Sequence, residues 1–127
     1  MLLVLPCPIF SQEFPPISFF STDEYQAENQ NWSISQSSNK NIYFANNAGL
    51  LEFNGARWKL YDSPNETIIR SVKVVGKRIY TGSYMNFGFW EENIFGLLEY
   101  QSITEELNIK LIEDEQFWNI IQIEHWT

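Results

Sequence analysis

A chain with a single histidine, His125, and a single cysteine, Cys7, has few routes to covalent or metal chemistry. Zinc sites are built chiefly from His and Cys, and one of each makes no plausible zinc set. One cysteine also excludes an internal disulfide. The acidic run Glu113-Asp114-Glu115 lacks the alternating Asp/Asn spacing of a calcium loop and reads as a solvated turn. The stretch Gly82-Ser83-Tyr84-Met85-Asn86-Phe87-Gly88 has two glycines but not the lysine or spacing of a phosphate loop. Glu66 and Glu91 would form a general acid/base pair only by a coincidence of folding. The expectation is a protein that is not an enzyme and holds no metal and no cofactor.

What remains is recognition. Aromatic residues make up 17% of the chain, and most of them fall in strand-like segments, where packing is their default role. Tyr84 and Trp90 lie at strand ends or in loops. Trp or Tyr beside Asn and Arg suits sugars or polyols, because apolar ring faces stack while the polar groups hydrogen-bond. The candidate ligand-binding residues are therefore Asn46, Asn47, Arg70, Tyr84, Asn86 and Trp90. Asn46-Asn47 is equally good as a plain turn former, and Arg70 as a structural ion-pair residue. Asn31-Trp32-Ser33 and Asn65-Glu66-Thr67 match the short glycosylation pattern, which matters only in a host that modifies it.

The elements that must position these residues are short. Between Asn31 and Tyr61 lie four apolar segments: Trp32–Ser35, Ile42–Ala45, Leu50–Phe53 and Trp58–Tyr61. Polar and glycine-containing turns separate them, which is the pattern of an antiparallel four-stranded meander. A second unit follows, with strands expected at Ile69–Val74, Arg78–Gly82, Phe87–Glu91 and Gly96–Tyr100. Ile42-Tyr43 aligns with Ile79-Tyr80 at a spacing of 37, and Leu50 with Phe89 at 39. A third unit opens at Phe117-Trp118-Asn119-Ile120-Ile121. A four-stranded unit recurring about every 40 residues is the signature of a propeller blade. The fold expected is all-β: an incomplete β-propeller of about two four-stranded blades (residues 31–61 and 69–100) plus the start of a third (117–127). A small antiparallel sandwich is the competing architecture. Glu105–Asp114 reads either as a strand over Asn108–Ile112 or as a short helix from Thr104.

Residues 13–30 read as a lead-in, stiffened by Pro15-Pro16 and carrying a turn of helix capped by Ser21 or Thr22. Residues 1–12 read as the remnant of a secretory signal, with an apolar run but no basic residue before it. An apolar N-terminal strand or tail is the alternative, and a lipid-anchoring role for Cys7 fits poorly because Pro6 precedes it. The run is too short to span a bilayer. With 8 basic and 16 acidic residues the formal net charge is −8, which disfavours nucleic acid as a partner.

Several segments taken together resemble a known family. AENQNWSISQ (27–36), IYFANNAGLLEFNGARWKLY (42–61), SPNETIIRSV (63–72), IYTGSYMNFGFW (79–90) and EDEQFWNI (113–120) are similar to the N-terminal sensor propeller of two-component-type regulators of the Bacteroidetes. The resemblance covers about residues 14–123, in the right order. It implies an exported, periplasmic or extracellular sensor, anchored to the inner membrane in its parent protein. A kinase or helix-turn-helix output would follow, and the ligand would be carbohydrate-derived. It also implies that loops on the blade face, Tyr84–Phe87 among them, meet the ligand. The partners expected are a small-molecule or oligosaccharide ligand, and either the remaining blades of a longer chain or a homodimer partner. The first turn, Ser38-Asn39-Lys40-Asn41, departs from the Asn-Gly or Asp-Gly type usual in that family, and the third blade is partial. The alternative function is a secreted or surface carbohydrate- or protein-binding module with no signalling role. A glycoside-cleaving propeller would need carboxylates roughly 5–9 Å apart on successive first strands, and the segments Trp32–Ser35 and Ile69–Val74 contain none.

Overall fold

The structure is a computed structural model that describes residues 14–123. The signal-remnant reading of residues 1–12, Cys7 and His125 lie outside the described residues.

Two antiparallel four-stranded sheets carry the fold, each a simple meander. The first comprises β1 (Asn31–Gln36), β2 (Ile42–Asn46), β3 (Gly49–Phe53) and β4 (Trp58–Asp62). The second comprises β5 (Ser71–Val75), β6 (Arg78–Gly82), β7 (Phe87–Glu92) and β8 (Leu98–Ser102). Two single-turn helices, α1 (Thr22–Tyr25) and α2 (Ile103–Glu106), flank them. Asparagine side chains close several of the turns. Asn54 Oδ1 accepts from the backbone N–H of Ala56 and Arg57 at 3.0 and 2.8 Å. Asn93 Oδ1 does the same for Phe95 and Leu97, at 2.9 and 3.0 Å. Each is an Asx turn that satisfies backbone donors which the strands leave unpaired.

The register refines the internal repeat. Tyr43 stands opposite Glu52 and Ala45 opposite Leu50. In the second sheet Tyr80 stands opposite Phe89 and Gly82 opposite Phe87. With Tyr43 placed on Tyr80, Leu50 corresponds to Phe87, so the expected match of Leu50 with Phe89 slips by two residues. Both residues lie on the same face. Alternation alone cannot detect a two-residue slip, because it restores every side chain to its original face. Two strand boundaries also shift. β5 starts at Ser71 rather than Ile69, and β8 starts at Leu98 rather than Gly96, because the Asn93 turn extends through Asn93 N–H···O=C Leu97 at 2.8 Å.

The core lies between the sheets. Tyr43, Ala45 and Leu50 of the first sheet meet Val72, Ile79, Trp90 and Leu98 of the second, with Ile69 beside them. β1 runs alongside β5. Two hydrogen bonds cross there: Ser33 Oγ donates to the Val72 carbonyl at 3.4 Å, and Ser35 Oγ accepts from Val74 N–H at 3.0 Å. On the outer face of the first sheet, Phe20 and Tyr25 of the lead-in pack against Trp58, which stacks on Phe53 at 4.4 Å between centroids. α1 is held at its start by Glu24, whose carboxylate accepts from the Ser21 backbone N–H at 2.7 Å. Of the two readings for Glu105–Asp114, the helical one forms, as α2; Asn108–Ile112 is not a strand. Ser102 caps α2 by accepting from Glu105 N–H at 3.2 Å.

Beyond α2 the chain returns along the second sheet. Gln116 bridges Tyr84, and residues 117–123 form no strand among the described residues. Phe117 nevertheless docks closely. Its carbonyl accepts from Ser71 Oγ at 2.7 Å, and its ring lies 5.5 Å from that of Phe87. Ser71 occupies in β5 the place that Ser33 occupies in β1, opposite Gly82 and Ala45 respectively. The bond from Ser33 to Val72 is thus repeated from Ser71 to Phe117.

Candidate ligand-recognition site

At the end of the sheets where β1 and β5 begin, three side chains converge. Trp32 is the second residue of β1, and Arg70 immediately precedes β5. Each stands one residue before the serine that makes the crossing bond. Trp118 follows Phe117 directly. The Arg70 guanidinium lies over the Trp32 ring at 4.1 Å from its centroid and over the Trp118 ring at 4.7 Å. The two indoles are 5.8 Å apart and nearly perpendicular. A guanidinium against indole faces is attracted by the ring quadrupole, by roughly 0.5–2 kcal/mol per contact.

Polar groups hold the edges of this cluster. Trp32 Nε1 donates to Asn47 Oδ1 at 2.7 Å. Arg70 Nε donates to Gln116 Oε1 at 3.0 Å, and Gln116 is tied through its backbone to Tyr84. The Tyr84 hydroxyl donates to Asp114 Oδ1 at 2.9 Å, and this bond, with the charge of that carboxylate, raises the phenol above its ordinary range. Arg70 Nη1 is buried and has no acceptor among the described residues. Trp32 and Trp118 remain 42% and 50% exposed, so both indoles offer surface to a ligand.

Three of the six residues singled out from sequence therefore come together here: Arg70, Asn47 through Trp32, and Tyr84 through Gln116. The other three sit elsewhere. Asn46 is fully buried, and its amide is saturated: Nδ2 donates to Glu28 O and Asn31 Oδ1, and Oδ1 accepts from Glu28 and Ala48 N–H. Asn86 is buried, and its Oδ1 accepts from Ser102 Oγ at 2.8 Å, Thr104 Oγ1 at 2.9 Å and Tyr100 OH at 3.1 Å. Trp90 is buried between Tyr61 and Tyr100, with Nε1 donating to Thr81 Oγ1 at 2.9 Å. These three build the scaffold.

Trp32, Gln116 and Trp118 complete the cluster, and sequence reasoning read the two tryptophans, with most of the aromatics, as packing residues between blades. A signal for Trp32 did exist. It stands one residue before Ser33, as Arg70 stands before Ser71, so the repeat puts both at the same point of their units.

A cleft of about 420 Å³ opens between the sheets at their opposite end. Tyr43, Val74 and Ile79 floor it, while Lys77 and Glu92 place opposite charges on its rim. It has no exposed aromatic platform and gathers none of the six residues. Among the described residues no group of three or more His, Cys, Asp or Glu could hold a metal ion, and no helix is long and apolar enough to cross a membrane. Comparison with protein-family models, with curated proteins and with solved structures returns no match for this chain.

Proposed function

We propose that the two sheets are successive blades of a β-propeller, and that the chain is a ligand-sensing segment of an exported, membrane-anchored signalling or transcription regulator that responds to a carbohydrate-derived ligand. The observation that carries the ligand half of this reading is the Trp32–Arg70–Trp118 cluster. It joins half-exposed indoles to hydrogen-bonding groups, the combination that pyranose rings require. The blade reading is supported by the repeated crossing bond from a first-strand serine and by the matching register of the two meanders. The regulator reading rests on the segment-by-segment resemblance described above.

Titration with a panel of oligosaccharides, followed by tryptophan fluorescence, tests the ligand reading. At least one glycan is expected to shift the emission saturably. Trp32→Ala is expected to weaken that binding by tenfold or more, since one aromatic stacking face is lost. Absence of any saturable response across the panel overturns the reading. So does a response that Trp32→Ala leaves unchanged. The regulator half is tested by reading the gene downstream: further blades followed by a transmembrane helix and an output domain are expected, and a stop codon directly after Thr127 overturns it.

A further inference from the structure

We infer that the ligand of this site carries a carboxylate, as an acidic sugar does, and that Arg70 is the residue that reads it. The inference rests on the carbohydrate reading above and narrows it. The Arg70 guanidinium sits against both indoles, 4.1 and 4.7 Å from their centroids, and its donors lie in its own plane, along its edge. Gln116 takes Nε, and among the described residues Nη1 has no acceptor. An unpaired buried guanidinium N–H is costly, and a planar acceptor with two oxygens matches the fork that Arg presents. A neutral sugar hydroxyl does not need that fork.

Access runs past Trp118. Its ring is half exposed and stands on a segment outside both sheets, so it can turn aside without breaking a strand pair. The carboxylate then meets the freed edge of Arg70 while the sugar ring stacks on Trp32. The chain as a whole is acidic, at −8, so an anionic ligand gains nothing from the distant field. At physiological salt, charges beyond about 8 Å are screened, so the balance is set locally, by Arg70 against the Asp114 carboxylate that Tyr84 already engages.

The test uses galacturonic and glucuronic acid oligosaccharides, each against its own methyl ester, at physiological salt. The ester keeps the ring and the hydroxyls, removes the charge and adds one methyl group per acidic residue. The acid form is expected to bind at least tenfold more tightly, with the change in emission lost in Trp118→Phe. Arg70→Gln is expected to abolish the preference for acid over ester, and Arg70→Lys to retain part of it. Equal binding of acid and ester overturns this inference and leaves the carbohydrate reading standing. A preference that survives Arg70→Gln also overturns it. If neither form binds while neutral glycans do, the inference falls alone. If no glycan of any kind binds, both fall. The comparison of acid with ester needs only the unaltered chain, so it stands even if a variant fails to fold.

Discussion

Asn46 shows how one amide can fix a turn, a strand end and the lead-in together. Its four hydrogen bonds reach Glu28, Asn31 and Ala48, and the Asn46 side chain itself is fully buried. Asn46→Ala removes the amide and leaves part-buried backbone groups of Glu28 and Ala48 without their partner, each costing up to about 1–3 kcal/mol. A loss of roughly 2–4 kcal/mol is expected in urea denaturation; a loss within experimental error would show that solvent enters the turn. Two tyrosines titrate at the same scale. Tyr61 is raised first by burial and then by the Glu52 carboxylate, to which its hydroxyl donates at 3.0 Å. Tyr100 is raised first by burial and then by Glu105. A phenol whose pKa is higher in the fold than in the unfolded chain contributes stability that is full below about pH 10, the ordinary tyrosine value. That contribution is lost as pH rises through the folded values. Stability is therefore expected to fall above about pH 10, and Tyr61→Phe with Tyr100→Phe to flatten the fall, as read by denaturation at stepped alkaline pH.

Among the elements, Gly49, Gly82 and Gly88 set how closely neighbouring segments approach. At Gly49, the first residue of β3, φ is +152°, and an added Cβ would collide with the Tyr61 carbonyl across the pair. At Gly82, the last residue of β6, a Cβ would stand 2.5 Å from Phe117 Cβ and 2.6 Å from Ser71 Oγ. Gly82 is thus the surface on which the returning segment is laid. Gly82→Val is expected to lift residues 116–118 off the second sheet, breaking the Ser71–Phe117 bond and separating Trp118 from Arg70. Faster amide exchange at Phe117 and a changed Trp118 emission would report it. Unchanged protection at Phe117 would show that the segment is held from elsewhere. Ligand affinity should fall in the same variant, although Gly82 touches no ligand, because the site loses one of its two indoles.

Across the whole molecule, the shared core makes the two sheets one cooperative unit. Leu50 is fully buried in a cluster that also draws on Val72, Ile79 and Trp90. Leu50→Ala is expected to cost about 2–5 kcal/mol. It should lower stability equally whether unfolding is followed by far-ultraviolet dichroism or by the fluorescence of Trp90, which lies in the other sheet. Transitions that separate would mean that the sheets unfold independently and that their interface contributes little.

How much of this was legible beforehand follows from the range of the forces involved. The eight strands and their turns could be read because alternation, β-branched and aromatic side chains, and asparagine turns act over a few residues. The helical turn at Ser21 was legible for the same reason, since its cap and its carboxylates lie within one turn of each other. Register between the repeats was not, because Leu50 matched to Phe87 or to Phe89 preserves the same faces, and only the hydrogen-bonded partners separate the two. The recognition residues divide likewise. Asn46, Asn86 and Trp90 have the composition of a sugar site, yet burial uses up their polar atoms inside the scaffold. Trp32, Arg70, Gln116 and Trp118 are up to 86 positions apart in the chain, and no local pattern links them. They meet because packing between the two sheets brings the starts of β1 and β5 to one rim, and the segment after α2 returns to the same rim. The sequence by itself determined the strands, the turns and the two four-stranded units, through short-range preferences. Only the tertiary structure decided which aromatic and polar side chains remain free to recognise anything, because that choice is made by packing between sheets.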